Sequence, residues 1–213
     1  SGLSNLSSHK INFTSVGVQS KFLLSKIRAQ QNISSPLGIG GEMLLNRSFS
    51  GIKASQLQLY FDASVRGILP NHNLVGGFSF KSESLWNAYQ FMDLNVYPRG
   101  YQILRNNWMA TWQINYHFPL LYPDIGFGGL VYFLRVRANM FADLGFGEIL
   151  NPTTNYEEVR NFSSIGAELI FDMKLIRLVP MSLGLRLSAL GNTDLHKPGR
   201  SSYFEVFFPI LRL

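Results

Sequence analysis

Apolar and polar side chains alternate with a period of two along most of this chain. In residues 56–66, Leu57, Leu59, Phe61, Ala63 and Val65 fall on one face, and Gln56, Gln58, Asp62, Ser64 and Arg66 fall on the other. Residues 110–118 set Ala110, Trp112, Ile114, Tyr116 and Phe118 against Thr111, Gln113, Asn115 and His117. Residues 165–173 and 182–189 repeat the scheme. Successive side chains of a strand point to opposite faces of its sheet, so this period predicts β-strands with one apolar and one polar face. Nine segments qualify, at roughly 18–30, 36–47, 55–67, 72–84, 106–119, 129–146, 162–175, 180–190 and 201–209, with Lys10–Val16 as a candidate tenth. Most exceed the roughly five or six residues usual in soluble sheets and match the roughly 9–11 that a tilted strand needs to cross a bilayer. The polar faces carry Gly, Ser, Gln, Arg and Asp, which suits a wet interior better than a dry second layer.

Polar or glycine-rich turns separate the segments, at 46–51, 69–73 and 191–194. Two connections are longer. Residues 85–105 hold Trp86, Tyr89, Phe91, Tyr97 and Tyr101, too aromatic for a flexible linker. Residues 147–161 hold Asn151-Pro152-Thr153-Thr154-Asn155 and the acids Glu157 and Glu158, and read as a solvent-exposed loop. No internal boundary or repeat divides residues 1–213, so the chain reads as one domain.

Composition narrows the setting. Of 213 residues, 46% are hydrophobic and only 15% charged, against roughly 25% charged in average soluble domains. No run of about 18 apolar residues provides a helical membrane span. A surface poor in charge without such a span leaves a large β-sandwich or a β-barrel in lipid, and 17 Phe and 9 Tyr favour strands. The net charge of +6 is scattered at one or two cations per strand, so no nucleic-acid-binding element is expected. With no cysteine, thiolate catalysis and thiolate metal sites are excluded. The start, Ser1-Gly2-Leu3-Ser4, has neither the basic end nor the apolar core of an export signal, so an exported protein would be present here as a mature or partial chain.

Candidate chemistry is sparse. His9, His72, His117 and His196 have no metal-ligand spacing, and no Gly-x-Ser-x-Gly elbow occurs. Gly38-Ile39-Gly40-Gly41 lacks the Lys and the helix of a phosphate loop and reads as a glycine-softened strand. Glu168 and Asp172 read as charge lining a polar interior rather than as paired catalytic acids. The tryptophans and tyrosines at strand ends read as girdles at a membrane interface rather than as a sugar platform. No catalytic residue, metal or cofactor is expected.

Three motifs occur in order. Arg99-Gly100-Tyr101 lies in the aromatic connection, Phe118-Pro119 ends the next strand, and Phe141-Ala142-Asp143-Leu144-Gly145 lies in the strand after. Their order and the strand count from residue 85 onward resemble the C-terminal half of the BamA/TamA-type outer-membrane assembly-factor (bacterial surface antigen) barrel superfamily. The resemblance implies an antiparallel transmembrane β-barrel in the bacterial outer membrane, with these 9–10 strands as the C-terminal part of a 16-stranded barrel. It implies that loop 85–105 folds into the lumen and that its tip arginine, Arg99, pairs with Asp143. Physics supports that pair, because a buried guanidinium needs a carboxylate and Arg binds one bidentately. By parity Asp143 shares its face with Arg135, Arg137 and Asn139. Gly100 is expected to allow a tight reversal, and Tyr101 to pack against the wall.

Chain and family differ where the family often places an acid, at Asn115, so the pairing of Arg99 is expected to rest on Asp143. The implied activity is insertion of outer-membrane proteins or polypeptide translocation through a seam beside the last strand. That strand carries Tyr203, Phe204, Val206 and Phe208 and stops at Pro209, which cannot donate to a ladder. The implied partners are outer-membrane lipid (lipopolysaccharide or phospholipid), client polypeptides and periplasmic or lipoprotein accessory subunits. A passive porin-like barrel or membrane anchor, and a soluble β-sandwich binding module, stay open as alternatives.

Overall fold

The computed structural model describes residues 14–26, 33, 35–50, 53–84, 91–102, 106–150, 156–176, 178–192 and 199–209. Among them every regular element is a strand. In chain order these are β1 (Thr14–Ser25), β2 (Leu37–Ser50), β3 (Ser55–Arg66), β4 (Asn73–Glu83), β5 (Asn106–Leu121), β6 (Ile125–Phe127), β7 (Val131–Leu150), β8 (Glu157–Leu175), β9 (Val179–Leu190) and β10 (Ser202–Phe207). They form one antiparallel ten-stranded sheet in the order β1-β2-β3-β4-β5-β7-β8-β9-β10, with β6 paired to β7 off this path. β1 and β10 are the two edges and do not touch each other.

Nine of these strands lie where the period of two placed them. The tenth does not. It is β6, a three-residue strand folded against Val131–Phe133, whereas Thr14–Val16 belong to β1 and Lys10–Phe13 lie outside the described residues. Segment 147–161 is also corrected. β7 runs on to Leu150 and β8 starts at Glu157, so Glu157 and Glu158 pair with Leu150 and Ile149 in the ladder rather than sitting in a loop. Alternation is weak there, and the pairing comes from the long β7–β8 register instead. Pro119 is tolerated inside β5 because the β5–β7 register shifts between Pro119 and Leu121, so no regular ladder donor is demanded of it.

Burial is inverted relative to a soluble domain. One cross-strand row runs Leu37–Val65–Leu74–Tyr116–Met140–Ala167–Leu187–Phe204 through eight strands. Apart from the Tyr116 hydroxyl and the Met140 sulfur it is wholly aliphatic or aromatic hydrocarbon, yet Met140 is 58% and Phe204 61% exposed. One residue along each strand runs the row Arg66–Asn73–His117–Asn139–Glu168–Arg186–Glu205. Its members Asn73 and Asn139 are only 1% exposed. No second layer covers the apolar face among the described residues. Soluble monomers rarely expose contiguous apolar patches beyond a few hundred Å².

Close packing depends on glycine on both faces, at Gly41 on the apolar face and at Gly166 and Gly184 on the polar one. The Phe22 ring lies over Gly41, the Phe141 ring over Gly166 and the Phe207 ring over Gly184, and a Cβ at any of the three would fall well inside contact distance of the ring. Each aromatic thereby covers a bare stretch of the neighbouring strand. Gly38–Gly41 is accordingly strand rather than phosphate loop, and Gly41 is the residue that receives a ring.

Candidate functional site

Residues 91–102 cross the polar face from β3 to β9, and every few residues a side chain of the wall takes up their backbone or their charge. The amide of Gln58 on β3 acts as a strand substitute. Its Nε2 donates to the Met92 carbonyl at 2.7 Å, and its Oε1 accepts from the Leu94 N–H at 2.7 Å. Glu83 on β4 accepts from the Phe91 N–H at 2.8 Å, and the Ser79 hydroxyl donates to the Val96 carbonyl at 3.1 Å. Lys81, which is wholly buried, bridges Glu83 at 3.0 Å and Asp93 at 2.9 Å. The Tyr97 hydroxyl donates to Asp93 and accepts from Asn106 Nδ2 at 2.8 Å. Burial, with the Asp93 carboxylate beside it, pushes that phenol far above its ordinary value, so it stays a neutral donor. A connection without secondary structure is thus fixed at both ends of its path, because each buried polar group it brings needs a partner.

The tip is held hardest. Arg99 Nε lies 2.7 Å from Asp143 Oδ2 and Nη2 lies 2.6 Å from Oδ1, and the Arg99 backbone N–H adds a bond to Oδ2 at 2.9 Å. This is the two-pronged geometry that a guanidinium and a carboxylate favour. The guanidinium also stacks 3.7 Å over the Phe141 ring, the ring that covers Gly166. Gly100 has φ +88°, a backbone region that costs glycine least. A Cβ there would also lie 2.7 Å from Leu190 and 3.0 Å from Ser188. Tyr101 donates to the Ser163 carbonyl at 2.8 Å, accepts from the Asn192 N–H at 3.0 Å and meets Phe162 edge-on. With Tyr97 it packs on the small apolar cluster of Met109, Ile149 and Phe162. Pro98 rests on Gly145, where a Cβ would lie 2.5 Å from its ring and 2.8 Å from Met109. The motif residues Arg99, Gly100, Tyr101, Phe141, Asp143 and Gly145 therefore meet at one place.

The expectation that Arg99 leans on Asp143 alone is corrected. Arg99 Nη1 also reaches Glu168 Oε1 on β8 at 3.2 Å. Asn115 has a different part: its Oδ1 accepts from Asn139 Nδ2 at 3.0 Å, and the same Asn139 amide donates to Glu168 Oε2 at 2.8 Å. Glu168 is further bonded by Arg186 Nε at 2.6 Å, and Arg186 Nη1 bonds Glu205 on β10. The alternation around Glu168 predicted its face but not this role, since nothing in spacing tells which residues of β8 and β9 lie opposite Arg99. Arg135 and Arg137 lie farther along β7 and share Asp172, at 2.7 and 3.0 Å, with the Ser182 hydroxyl donating to the same carboxylate at 2.7 Å.

On the last strand, Tyr203 faces the polar side with Glu205 and stacks under Arg200 at 4.0 Å. Phe204, Val206 and Phe208 face the exposed apolar side, and the strand ends at Phe207, two residues before Pro209. Trp108 lies near the start of β5 against Phe146, as a girdle residue would, but Trp112 sits mid-strand against Phe78; Trp86 lies outside the described residues. Among the described residues no group of three His, Cys, Asp or Glu is arranged to hold a metal.

Packing at the tip gives a direct test. Gly145→Leu is expected to displace Pro98 and with it Arg99, while β7 keeps its strand. Limited proteolysis should then cut within 91–102 at least tenfold faster than in the wild type; an unchanged rate would show that the tip does not depend on this contact.

No family model, curated protein or solved structure matches this chain.

Proposed function

We propose that this chain is part of the wall of a transmembrane β-barrel in the bacterial outer membrane, of the assembly- or translocation-factor type, that inserts outer-membrane proteins or passes polypeptide through a seam beside β10. The reading of the setting rests on the inverted sheet: an apolar face eight strands wide that no described residue covers, and a polar face on which even Lys81 and Asp143 are buried and paired. Strand alternation of apolar-out and polar-in is what lipid on one side and water on the other demand. The reading of the activity rests on one observation, the seating of Arg99-Gly100-Tyr101 across the polar face with the guanidinium between Asp143 and Glu168. A strap bonded to the wall along its length by releasable charges and hydrogen bonds suits a barrel that changes shape during client passage and needs a brace that can be let go.

The mechanism involves no covalent step. β10 offers six residues of ladder to β9, and among the described residues no strand pairs with its other edge. A client strand pairs with such an edge by adding its own backbone hydrogen bonds.

The test is reconstitution of the purified chain, with any upstream domains it has, into phospholipid vesicles with an unfolded outer-membrane barrel as client. Wild type should speed the client's acquisition of protease resistance, and Arg99→Gln should reduce that rate at least tenfold while the protein stays membrane-inserted. Large steady conductance with no effect on the client would replace this reading by a porin-like one. A monodisperse protein without detergent would remove the membrane reading altogether.

A further inference from the structure

The second carboxylate at the loop tip lies on β8, and that position joins the tip to the edge strand. Glu168 Oε1 is one oxygen with two guanidinium partners, Arg99 Nη1 at 3.2 Å and Arg186 Nε at 2.6 Å. Arg186 in turn bonds Glu205, directly opposite it in the β9–β10 ladder, and lies 4.2 Å over the Phe207 ring. Two stacks repeat one construction on neighbouring strands: Gly166, Phe141 and Arg99, then Gly184, Phe207 and Arg186. Among the described residues Arg99 and Glu205 are bonded only through Glu168 and Arg186. Phe207 is the last residue of β10, so Arg186 holds that strand by both a charge and a ring.

We propose that Arg99, Glu168, Arg186 and Glu205 form an ionic relay through which the seating of loop 91–102 sets how firmly β10 is held. With Arg99 seated, Glu168 is compensated from the loop side and Arg186 is free to spend its other N–H groups on Glu205. With Arg99 gone, Asp143 loses its guanidinium and Glu168 keeps one cation only. Arg186 is then drawn toward them and away from Glu205, which loosens the polar side of β10. Coupling of this kind is reciprocal: a client strand that pulls β10 and Glu205 aside leaves Arg186 to Glu168, and thereby weakens Glu168's hold on Arg99. Arg186 is a positioning residue in this scheme. The relay adds regulation to the seam proposed above; its role in client handling rests on that reading, but the coupling itself does not.

Hydrogen exchange on the purified chain in detergent micelles reads the coupling without any client. Arg99→Gln is expected to raise exchange over residues 199–209 about tenfold, within the range usual for coupled sites, with β3 (55–66) unchanged. Arg186→Gln should do the same, and the double variant should add little beyond Arg186→Gln, because both act through one path. In the reverse direction Glu205→Gln should raise exchange over 91–102, which keeps the test alive if Arg99→Gln does not fold. The relay is overturned if Arg99→Gln or Glu205→Gln leaves the far segment unchanged, if the two arginine effects multiply, or if exchange rises evenly across the sheet, β3 included. Loss of these effects with client insertion intact removes the relay and spares the seam; intact effects with no client activity do the opposite.

Discussion

Asp143→Asn is expected to be the most damaging single change in the molecule, at about 3–5 kcal/mol. Breaking a buried ion pair by removing one partner leaves the other charge uncompensated, which sets that scale. Here Asp143 accepts from Arg99 at Nε, Nη2 and the backbone N–H, and its side chain is fully buried. The remaining partner, Glu168 at 3.2 Å, keeps the loss toward the lower end of the range. Arg99→Lys should cost less but not little, since an ammonium cannot fork onto both oxygens or stack on Phe141 as a guanidinium does. Denaturant unfolding in micelles, followed by intrinsic fluorescence, reads both; a change under about 0.5 kcal/mol for Asp143→Asn, the range of ordinary surface substitutions, would show that the tip is not what braces the sheet. Swapping the charges, with Arg99→Glu and Asp143→Arg together, is not a clean rescue. The introduced acid at position 99 would stand against Glu168.

Ile114→Arg separates lipid from water by the size of its effect. Ile114 lies mid-strand on β5, 57% exposed, with Gly76 and Ala142 opposite it. At a water-facing site such a change costs within about 0.5 kcal/mol and improves solubility. In a bilayer the same arginine costs about 2–4 kcal/mol near the midplane, falling toward zero near the headgroups. Stability measured in phospholipid vesicles should therefore drop strongly for Ile114→Arg. It should drop hardly at all for Tyr156→Arg, which lies beyond the strands at the end where 151–156 connects β7 to β8. Equal, small effects at both positions would refute the membrane setting and return the sheet to a soluble protein with an unidentified cover.

Strand type and facing were written into the sequence, because the period of two leaves a strand only two ways to point and a one-residue slip exchanges every side chain between faces. Asp143 could be assigned to the polar side with Arg135, Arg137 and Asn139 on parity alone. Gly100 could be marked as a place of reversal, whereas the close approach of Pro98 at Gly145 came only with the structure. Segment 147–161 failed for the complementary reason: its hydrophobic pattern is weak, and it becomes strand because β7 and β8 are registered over their whole length, from Val131–Leu175 to Leu150–Glu157. The short β6 failed because three residues carry no period at all.

What the chain alone determined is therefore a one-dimensional pattern, an alternation that makes an amphipathic antiparallel sheet and puts an arginine at the tip of an aromatic connection. What tertiary structure decided is register. Only the pairing of Asn139 with Glu168, of Glu168 with Arg186 and of Arg186 with Glu205 brings charges from far apart in sequence into one row beside Arg99. Register is fixed by ladder hydrogen bonds and turn lengths across many strands at once, so no local stretch of residues contains it.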